Sequence, residues 1–403
     1  MKWLCSLLVL SGLLMSRQVL AFYSWQDDDT QGDARLLLRA FAIASQAPDT
    51  STTQNDSQNE AAGGLARFIL QSNHSNHLSY EFNAYQTYID QSLVKQQGSL
   101  SNSLDVERSA SLEWSFSDSE YAHLAIDRMN VRWSGDSYNF TLGRQTINLA
   151  TTFFFSPNDF FAPFAAQSFY RVYKPGVDGL RAEFATGELS RISVIGVLGY
   201  SAEANSDFGW SDDPDSDRAS WLAAYQFNLA GFEWGLLAGK VRRTRVEGAS
   251  ISGELFAWLG IRIEGHRAED LDRQHAEYSD YSIGLEHRWE NSLQLQFEQY
   301  YHGVGAPQVQ AYNLQQAYPA RRYQAIGLSY EISPLWTGQA SLIYNQIDAS
   351  RLYSLNLVHS VSDESEMSID LSLPTGEAPL GNTIRSEYGA YPRLLNLEFR
   401  VYF

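Results

Sequence analysis

Stretches of about ten residues in which apolar and polar side chains alternate recur along the chain. The last stretch is the clearest, because Leu395, Leu397 and Phe399 alternate with Asn396 and Glu398. Successive side chains of a strand point to opposite faces, so this pattern predicts a strand, and the chain ends within it at Phe403. The same pattern predicts strands at 33–44, 63–72, 77–90, 106–116, 120–133, 137–146, 177–186, 189–200, 219–229, 232–242, 245–254, 258–267, 278–288, 292–302, 322–332, 336–347, 351–361 and 365–373.

The connections between these strands alternate between short and long from residue 134 onward. The short ones are Ser134–Asp136, Gly187–Glu188, Ala230–Gly231, Leu255–Ala257, Trp289–Asn291, Ser333–Leu335 and Ser362–Glu364. The others are the longer 147–176, 201–218, 268–277, 303–321 and 374–392 and the tight 243–244 and 348–350. Short periplasmic turns and long external loops are typical of an outer-membrane barrel, whereas a β-sandwich or propeller gives no reason for such alternation. The sequence therefore predicts an all-β protein, a transmembrane antiparallel β-barrel.

The predicted strands number nineteen, but bacterial single-chain barrels have an even number. The alternation of short and long connections fails only upstream of about residue 137. We therefore expect that 106–116 and 120–133 are not both full strands, and we predict eighteen strands, with sixteen as the alternative.

Charged residues share one face of each predicted strand, and that face must point inward. An Arg or Lys at the midplane of the lipid face costs about 2–4 kcal/mol, and roughly eighteen strands enclose a space too wide for side chains to fill. We expect a water-filled lumen, unless these charges only pair across strands to hold the wall together. The predicted inward residues are Arg181, Glu183, Arg262, Glu264, Glu286, Arg288, Glu298, Glu398 and Arg400.

The connection 147–176 is unusually aromatic for an external loop. A large exposed apolar patch is avoided on soluble surfaces, so the loop should fold into the barrel or pack on the outer rim, and we favour the lumen. Arg171 and Lys174 would then give a constriction positive charge, with Asp159 as the nearest opposite charge. Arg181 and Glu183 of the strand that follows are predicted to belong to the same constriction. Alternatively, the loop only braces the wall. Its aromatic residues are Phe153, Phe154, Phe155, Phe160, Phe161, Phe164, Phe169, Tyr170 and Tyr173.

Residues 1–21 have the composition of a secretory signal peptide. Lys2 precedes an apolar run from Leu4 to Met15, which is too short to span a membrane. We predict cleavage between Ala21 and Phe22, with an N-terminal anchor helix as the alternative. The mature chain, 22–403, would be a single barrel domain without cysteine, because the only cysteine, Cys5, lies in the signal. Disulfides are then excluded.

Composition narrows the function further. The mean hydropathy of -0.31 is too low for a helical membrane protein, in which each span needs roughly 20 apolar residues. The formal net charge of -18 disfavours nucleic acid as a partner. Acidic stretches at 201–218 and 268–280 account for much of this charge and are predicted to be solvated external loops. Calcium binding at 201–218 is the alternative.

Three segments carry a resemblance to known proteins: "LGRQTIN" (142–148), "SPNDFFAPF" (156–164) and "YKPGVDGLR" (173–181). They resemble a motif series of large Gram-negative porin-like outer-membrane barrels, including the alginate-export type and related uncharacterised families. The resemblance implies a constriction formed by Arg144, Gln145, Asn158, Asp159, Lys174 and Asp178. Strict alternation nevertheless places Arg144 on the lipid side, so either the strand bends at Gly143 or Arg144 lies above the membrane. Mixed wall charges argue against alginate as the substrate, because that exporter should have a strongly basic lumen.

These patterns predict an outer-membrane channel for the passive passage of hydrophilic solutes in a Gram-negative bacterium. A polysaccharide exporter and a structural or adhesive barrel are the alternatives. A barrel enzyme is not expected, because the histidines show no catalytic motif, and no cofactor or metal is expected. An importer with an N-terminal plug domain is excluded, since 22–32 is too short for a plug. The expected partners are outer-membrane lipid, lipopolysaccharide, hydrophilic solutes and, through the strand ending at Phe403, the barrel-assembly machinery.

Overall fold

The computed structural model describes residues 23–48, 58–75, 77–90, 107–117, 120–203, 210–272, 276–314, 316–381 and 383–403. The predicted signal peptide, 1–21, lies outside the described residues. Within them, no helix has the length and apolar character needed to span a membrane. The strands are β1 Tyr23–Gln26, β2 Thr30–Gln46, β3 Gln58–His74, β4 Leu78–Asp90, β5 Glu113–Ser117, β6 Glu120–Ser134, β7 Tyr138–Gln145, β8 Val177–Gly187, β9 Ser190–Val197, β10 Tyr200–Ala202, β11 Trp210–Pro214, β12 Ser220–Leu229, β13 Phe232–Val241, β14 Thr244–Leu255, β15 Leu259–Asp270, β16 Tyr278–Arg288, β17 Gln294–Tyr301, β18 Arg322–Ser333, β19 Trp336–Asn345, β20 Arg351–Ser362, β21 Ser365–Thr375 and β22 Arg393–Tyr402.

Eighteen of these strands form a closed antiparallel barrel. Each pairs with its neighbour in the chain, and β22 pairs with β2 to close the ring. The backbone of Phe403 continues this closure through two hydrogen bonds with Leu36. Because a closed ring has no free edge, all backbone groups at membrane depth find partners between strands. The predicted all-β barrel of eighteen strands is therefore confirmed.

The surplus predicted strand is a short segment beside β6. Of the predicted strand 106–116, only β5 becomes extended, and it pairs with residues 121–125 of β6. The strand β7 occupies the same side of β6 further along, at residues 129–134. The segments β5 and β7 thus share one position in the ring, which explains why nineteen strands were predicted for a ring of eighteen.

The two rims of the barrel differ as the connection lengths predicted. One rim carries the short turns, such as Ala230–Gly231, whose backbone φ values of 55° and 83° suit the tight hairpin turns that match strand twist. We call this the turn rim and the opposite one the loop rim. The loop rim carries the long connections, and β10 and β11 pair with each other as a separate hairpin there. In outer-membrane barrels the short turns face the periplasm and the long loops face outward.

The wall separates an apolar outer face from a polar inner face. Outward residues such as Leu142, Leu285 and Leu355 are exposed, as expected for a surface that meets hydrocarbon. Cross-strand partners share a face, so the register places every charged residue predicted to point inward on the lumen side, for example Glu264 opposite Ser282 and Arg262 opposite Gly284.

The connection between β7 and β8 enters the lumen, as predicted for 147–176. Its residues Phe154 and Phe155 are buried in an aromatic cluster with Tyr300 and Tyr323 of the inner wall, and the connection that follows β21 adds Tyr388. The rings of Phe155 and Tyr300 stack at a centroid distance of 4.9 Å. Since the aromatic side chains are covered by the wall and by other loops, the loop exposes no large apolar patch. We call residues 146–176 the inserted loop.

The two faces should respond differently to the same new charge. Ala340 and Gln339 are adjacent in β19, and Ala340 lies in register with outward Leu328 and Leu355, whereas Gln339 pairs with inward Asn356. We expect Ala340→Arg to lower the free energy of unfolding by about 2–4 kcal/mol and Gln339→Arg to change it by less than about 1 kcal/mol, because water reaches the lumen. Urea titration in lipid vesicles measures both. Equal losses in the two variants would contradict the assignment of faces.

Candidate pore lining and the inserted loop

A wall carboxylate, Glu298 of β17, holds the tip of the inserted loop. It accepts hydrogen bonds from the backbone N–H groups of Phe153, Phe154 and Phe155 at 2.5, 2.9 and 2.9 Å. Hydrogen bonds to an ionised group are stronger than neutral ones. Three convergent N–H groups therefore fix the loop against β17, at a sequence separation that no local pattern reveals.

A second carboxylate, Glu264 of β15, holds the residues just before this tip. The N–H of Thr151 donates to Glu264 at 2.5 Å and the Thr152 hydroxyl donates at 2.9 Å. Arg262, one step along the same face, donates to the Thr151 carbonyl oxygen at 3.2 Å. Glu264 and Glu298 are both buried, so these predicted lumen-wall carboxylates anchor the loop and do not contact the passage.

Close packing against the wall supports the same placement. Gly327 of β18 lies under the ring of Phe154, and a Cβ at this position would meet that ring at 2.6 Å. Asn158 donates from its side-chain amide to the Ala249 carbonyl oxygen at 3.1 Å. The inserted loop thus rests on a long arc of the inner wall, from β14 to β18.

Lys174 and Asp159 form a buried ion pair within the inserted loop. Lys174 also donates to the Ile147 carbonyl oxygen at 2.6 Å. Burial lowers the pKa of Lys174, and the carboxylate of Asp159 partly offsets this effect. Both groups were expected at the constriction, but they are covered and neutralise each other. Lys174 thus joins the end of the loop to its middle at Asp159 and to its beginning at Ile147.

Arg171 turns toward the loop backbone. Its guanidinium donates to the carbonyl oxygens of Ser168, at 2.8 Å, and of Phe153, and it lies 4.2 Å from the centroid of the Phe153 ring. The side chain is half-buried, so Arg171 closes the loop on itself and presents only part of its charge to the lumen.

Arg144 lies inside the wall at the point where β7 leaves the sheet. Gly143 has a φ of +114°, and a Cβ there would lie 2.3 Å from the Met129 carbonyl oxygen, so only glycine fits. Of the two explanations that the sequence allowed, the structure shows the bend at Gly143. The buried Arg144 donates from Nε to Asp178 at 2.6 Å and from a terminal nitrogen to the Ser109 carbonyl oxygen at 3.0 Å.

This pair belongs to a network of three arginines and three carboxylates. Arg108 bridges Glu113, at 2.6 Å, and Asp127, at 2.9 Å, and Arg67 reaches Asp127 at 2.7 Å. Equal numbers of opposite charges make this burial tolerable, whereas removal of one partner from such a network is costly. The expectation that Arg144 and Asp178 line the constriction is therefore wrong: both are buried and join segment 107–113 to the wall. Gln145, also expected there, is buried and donates to backbone carbonyl oxygens.

An arc of inward arginines remains beside the inserted loop, on β22 and on β2 to β9. Arg181 pairs with Glu183 at 2.8 Å and Arg128 with Glu81 at 3.0 Å, while Arg39 pairs with Glu398. Tyr170 and Tyr173 of the inserted loop face this arc, with their ring centroids 4.4 Å from the guanidiniums of Arg400 and Arg67. Of the charged residues on this arc, only Arg181, Glu183, Glu398 and Arg400 were predicted to point inward. Alternation within the predicted strands also places the remaining arginines inward: Arg39, Arg67, Arg128, Arg132 and Arg191.

A cavity of about 650 Å³ lies on the inner side of the wall near the turn rim. Arg262 and Glu286 form a partly exposed ion pair there at 3.0 Å. Glu233, Glu254 and Arg288 also line it. Of the predicted wall residues, Arg262, Glu286 and Arg288 therefore lie where a solute in the lumen can reach them.

The acidic connection 201–218 lies at the loop rim. Residues 204–209 of this connection, which include Asp207, lie outside the described residues. Among those that are described, no group of three or more His, Cys, Asp or Glu side chains could hold a metal ion. Two of the described histidines form hydrogen bonds between distant parts of the chain, His74 with Thr30 at 2.9 Å and His266 with Asn158 at 3.3 Å.

No protein-family model and no curated protein sequence matches the chain. Solved structures of outer-membrane porins are similar to it in fold. OccAB3 of Acinetobacter baumannii has a TM-score of 0.60 and 11% identity, over 92% of this chain and 99% of that chain. OccK9 (OpdG) of Pseudomonas aeruginosa has a TM-score of 0.58 and 12% identity, over 92% and 98%. OpdL of the same organism has a TM-score of 0.56 and 11% identity, over 92% and 98%. At these identities the similarity shows the fold, and it does not confirm the narrower resemblance to the alginate-export type.

Loss of the Glu298 anchor should loosen the inserted loop. In Glu298→Gln, an amide replaces the carboxylate that accepts three N–H groups, and the docked loop should lose on the order of 2 kcal/mol. We expect a larger mean conductance and more open-channel noise in planar bilayers. Glu254→Gln, which removes a lumen carboxylate away from the loop, is the matched control. A Glu298→Gln channel with the conductance and noise of the unmodified protein would contradict this role.

The stability of the loop rim should depend on pH through Glu387, which lies in the connection between β21 and β22. Burial raises the pKa of Glu387 to about 8, although hydrogen bonds from Tyr323 and Asn345 act in the opposite direction. Between pH 4.5 and 8 the folded state then binds more protons than the unfolded state, so stability should fall as pH rises through this window and level off above it.

Urea titrations at pH 5, 7 and 9 measure this slope. Glu387→Gln should flatten it, whereas Glu377→Gln, in the exposed part of the same connection, should leave it in place. An identical pH profile in the Glu387→Gln protein and the unmodified protein would refute the assignment.

Proposed function

We propose that this protein is an outer-membrane channel through which hydrophilic solutes diffuse, in a Gram-negative bacterium. The observation that carries the proposal is the division of the lumen. The inserted loop rests on the wall from β14 to β18, while ionised side chains remain partly exposed on the rest of the inner face, with Arg181 and Glu183 beside the loop and Glu286 in the turn-rim cavity. Ionised groups in a cavity require water, so a wet passage beside the loop accounts for them.

The pairing of the wall charges favours small solutes over a polyanion. Arg39, Arg128, Arg181 and Arg262 each face a carboxylate within hydrogen-bond distance. A polysaccharide exporter for an acidic polymer needs a surplus of unpaired positive charge along the lumen, which these pairs do not supply. A purely structural barrel, in turn, has no need of a cavity of about 650 Å³ at its turn rim.

We further propose how the two ends of the chain contribute to secretion and assembly. Residues 1–21 act as a cleaved signal peptide, and 22–403 form the mature barrel. The final strand, which closes the ring through Phe403 and Leu36, is the segment that the barrel-assembly machinery would engage. The similar structures are porins and not enzymes, and we propose no catalytic activity for this chain.

Planar-bilayer recording tests the channel directly. We expect single-channel conductance to rise in proportion to KCl concentration, because ions move in water through the passage. Since wall charges are largely paired, the permeability ratio of K⁺ to Cl⁻ should lie within about threefold of unity. Absence of conductance from protein that is demonstrably folded in the bilayer would refute the channel, and strong anion selectivity would favour the exporter.

Liposome swelling with a panel of sugars and organic acids then addresses the solute. Uncharged sugars should enter at rates that fall with molecular size. Rates that depend on chemical identity at equal size would instead reveal a selective site in the lumen.

A further inference from the structure

Basic side chains form a row on the outer face of the barrel, at the loop rim. Each lies within the first or last few residues of its strand and on the side that alternates with the lumen face. Arg322, for example, precedes the buried inward Tyr323 and shares its face with exposed Ile326 and Leu328. The members of the row are Lys240, Arg245, Arg267, Arg322, Arg351 and Arg393.

The register shows that three members of the row, Arg322, Arg351 and Arg393, lie at one level across the tilted wall. Arg351 pairs with Tyr344, which pairs with Gln324, two residues beyond Arg322. Arg393 in turn lies two residues beyond the level of Arg351, since its neighbour Leu394 aligns through Ser372 with Ser354. A two-residue step for every second strand follows the stagger that strand tilt imposes on a barrel. Arg322, Arg351 and Arg393 therefore lie at similar depth.

Tyrosine side chains accompany the row on the membrane side. Tyr301 pairs with Arg322, and its ring stacks on that of Tyr281 at 5.1 Å. Arg351 lies 5.4 Å from the centroid of the Tyr344 ring. Aromatic girdles mark the two interfaces of a membrane barrel, so the row lies at the level of lipid headgroups on the loop side.

The distribution of the row is asymmetric. Between β13 and β22, every described Lys or Arg on the outward face of a strand lies at the loop rim, and the outward face near the turn rim carries aromatic residues such as Trp289 and Trp336. Solubility alone gives no reason to place cations at one rim only. A membrane whose two leaflets differ in charge would favour cations at the rim that meets the more anionic leaflet.

Three arginines of the row have no carboxylate partner among the described residues. Arg245 pairs with Glu247 at 2.9 Å, and Arg267 with Glu277. Arg322, Arg351 and Arg393 make no such ion pair within the part of the chain that the structure describes, and all three are exposed. A guanidinium binds a phosphate through two parallel hydrogen bonds, so the three are available for phosphate groups at the membrane surface.

We propose that Arg322, Arg351 and Arg393 form a docking surface for the phosphate groups of the outer-leaflet glycolipid, lipopolysaccharide. The proposal rests on the outer-membrane location given under the proposed function. The ligand is the headgroup phosphate of a membrane lipid and not free phosphate, because the tyrosines beside the arginines place the row at the edge of the hydrocarbon.

The test compares two triple variants with the same loss of charge. Arg322→Gln/Arg351→Gln/Arg393→Gln removes the outward arginines. Arg132→Gln/Arg191→Gln/Arg288→Gln removes three arginines that point into the lumen. Native mass spectrometry of the folded protein in a neutral detergent measures the binding of diphosphorylated lipid A, with fully dephosphorylated lipid A as the second probe. Bilayer conductance of each protein is recorded in parallel.

We expect the unmodified protein and the lumen variant to bind diphosphorylated lipid A alike and to prefer it over the dephosphorylated form. The outward variant should bind it on the order of 100-fold more weakly and keep normal conductance. Equal binding of both lipids, unchanged binding by the outward variant, or an equal loss in the lumen variant would each overturn the docking surface. If the unmodified protein binds diphosphorylated lipid A but shows no conductance, the result counts against the channel and not against the docking surface. The failure of one proposal can therefore be distinguished from the failure of the other.

Discussion

The structure depends on one constraint, which is that every backbone N–H and C=O group at membrane depth must find a partner within the protein. The pairing of β2 with β22 meets this constraint by closing the ring, and β5 meets it locally where β7 departs from β6. The constraint also acts at Gly143, where the chain bends into the lumen shortly before it leaves the hydrogen-bonded sheet. The freed space in the wall is filled by segment 107–113 and by the buried pair of Arg144 and Asp178.

The same constraint explains how buried charge is used. Glu264 and Glu298 are too deeply buried to contact a solute, yet each satisfies backbone N–H groups of a loop that has no strand partner. The inserted loop therefore has its own substitute for sheet pairing. The carboxylates that anchor the loop are distinct from the charged groups that line the passage, and only the latter, such as Arg181 and Glu286, can influence solutes.

Periodicity made the fold predictable, because alternation over ten residues reports the two faces of a strand and connection length reports the two rims. The inward loop was predictable from its phenylalanines. The roles of single residues could not be predicted in the same way. Four residues expected at a constriction are buried by contacts with residues more than ten positions away in the chain: Arg144, Asp159, Lys174 and Asp178. Glu298 meets Phe155 across 143 residues, and no local pattern contains that information. Arg39 and Arg128, in contrast, were within reach of the alternation rule.

Cysteine accessibility along one strand tests the central division of the wall most directly, since the chain's only cysteine is Cys5. Single cysteines placed at successive positions 337–342 of β19 would be exposed to a water-soluble, membrane-impermeant thiol reagent in proteoliposomes. The division of the wall into two faces predicts labelling at Thr337 and Gln339, which face the lumen, and protection at Gly338, Ala340 and Leu342, which face lipid. Uniform labelling, or the opposite alternation, would contradict it.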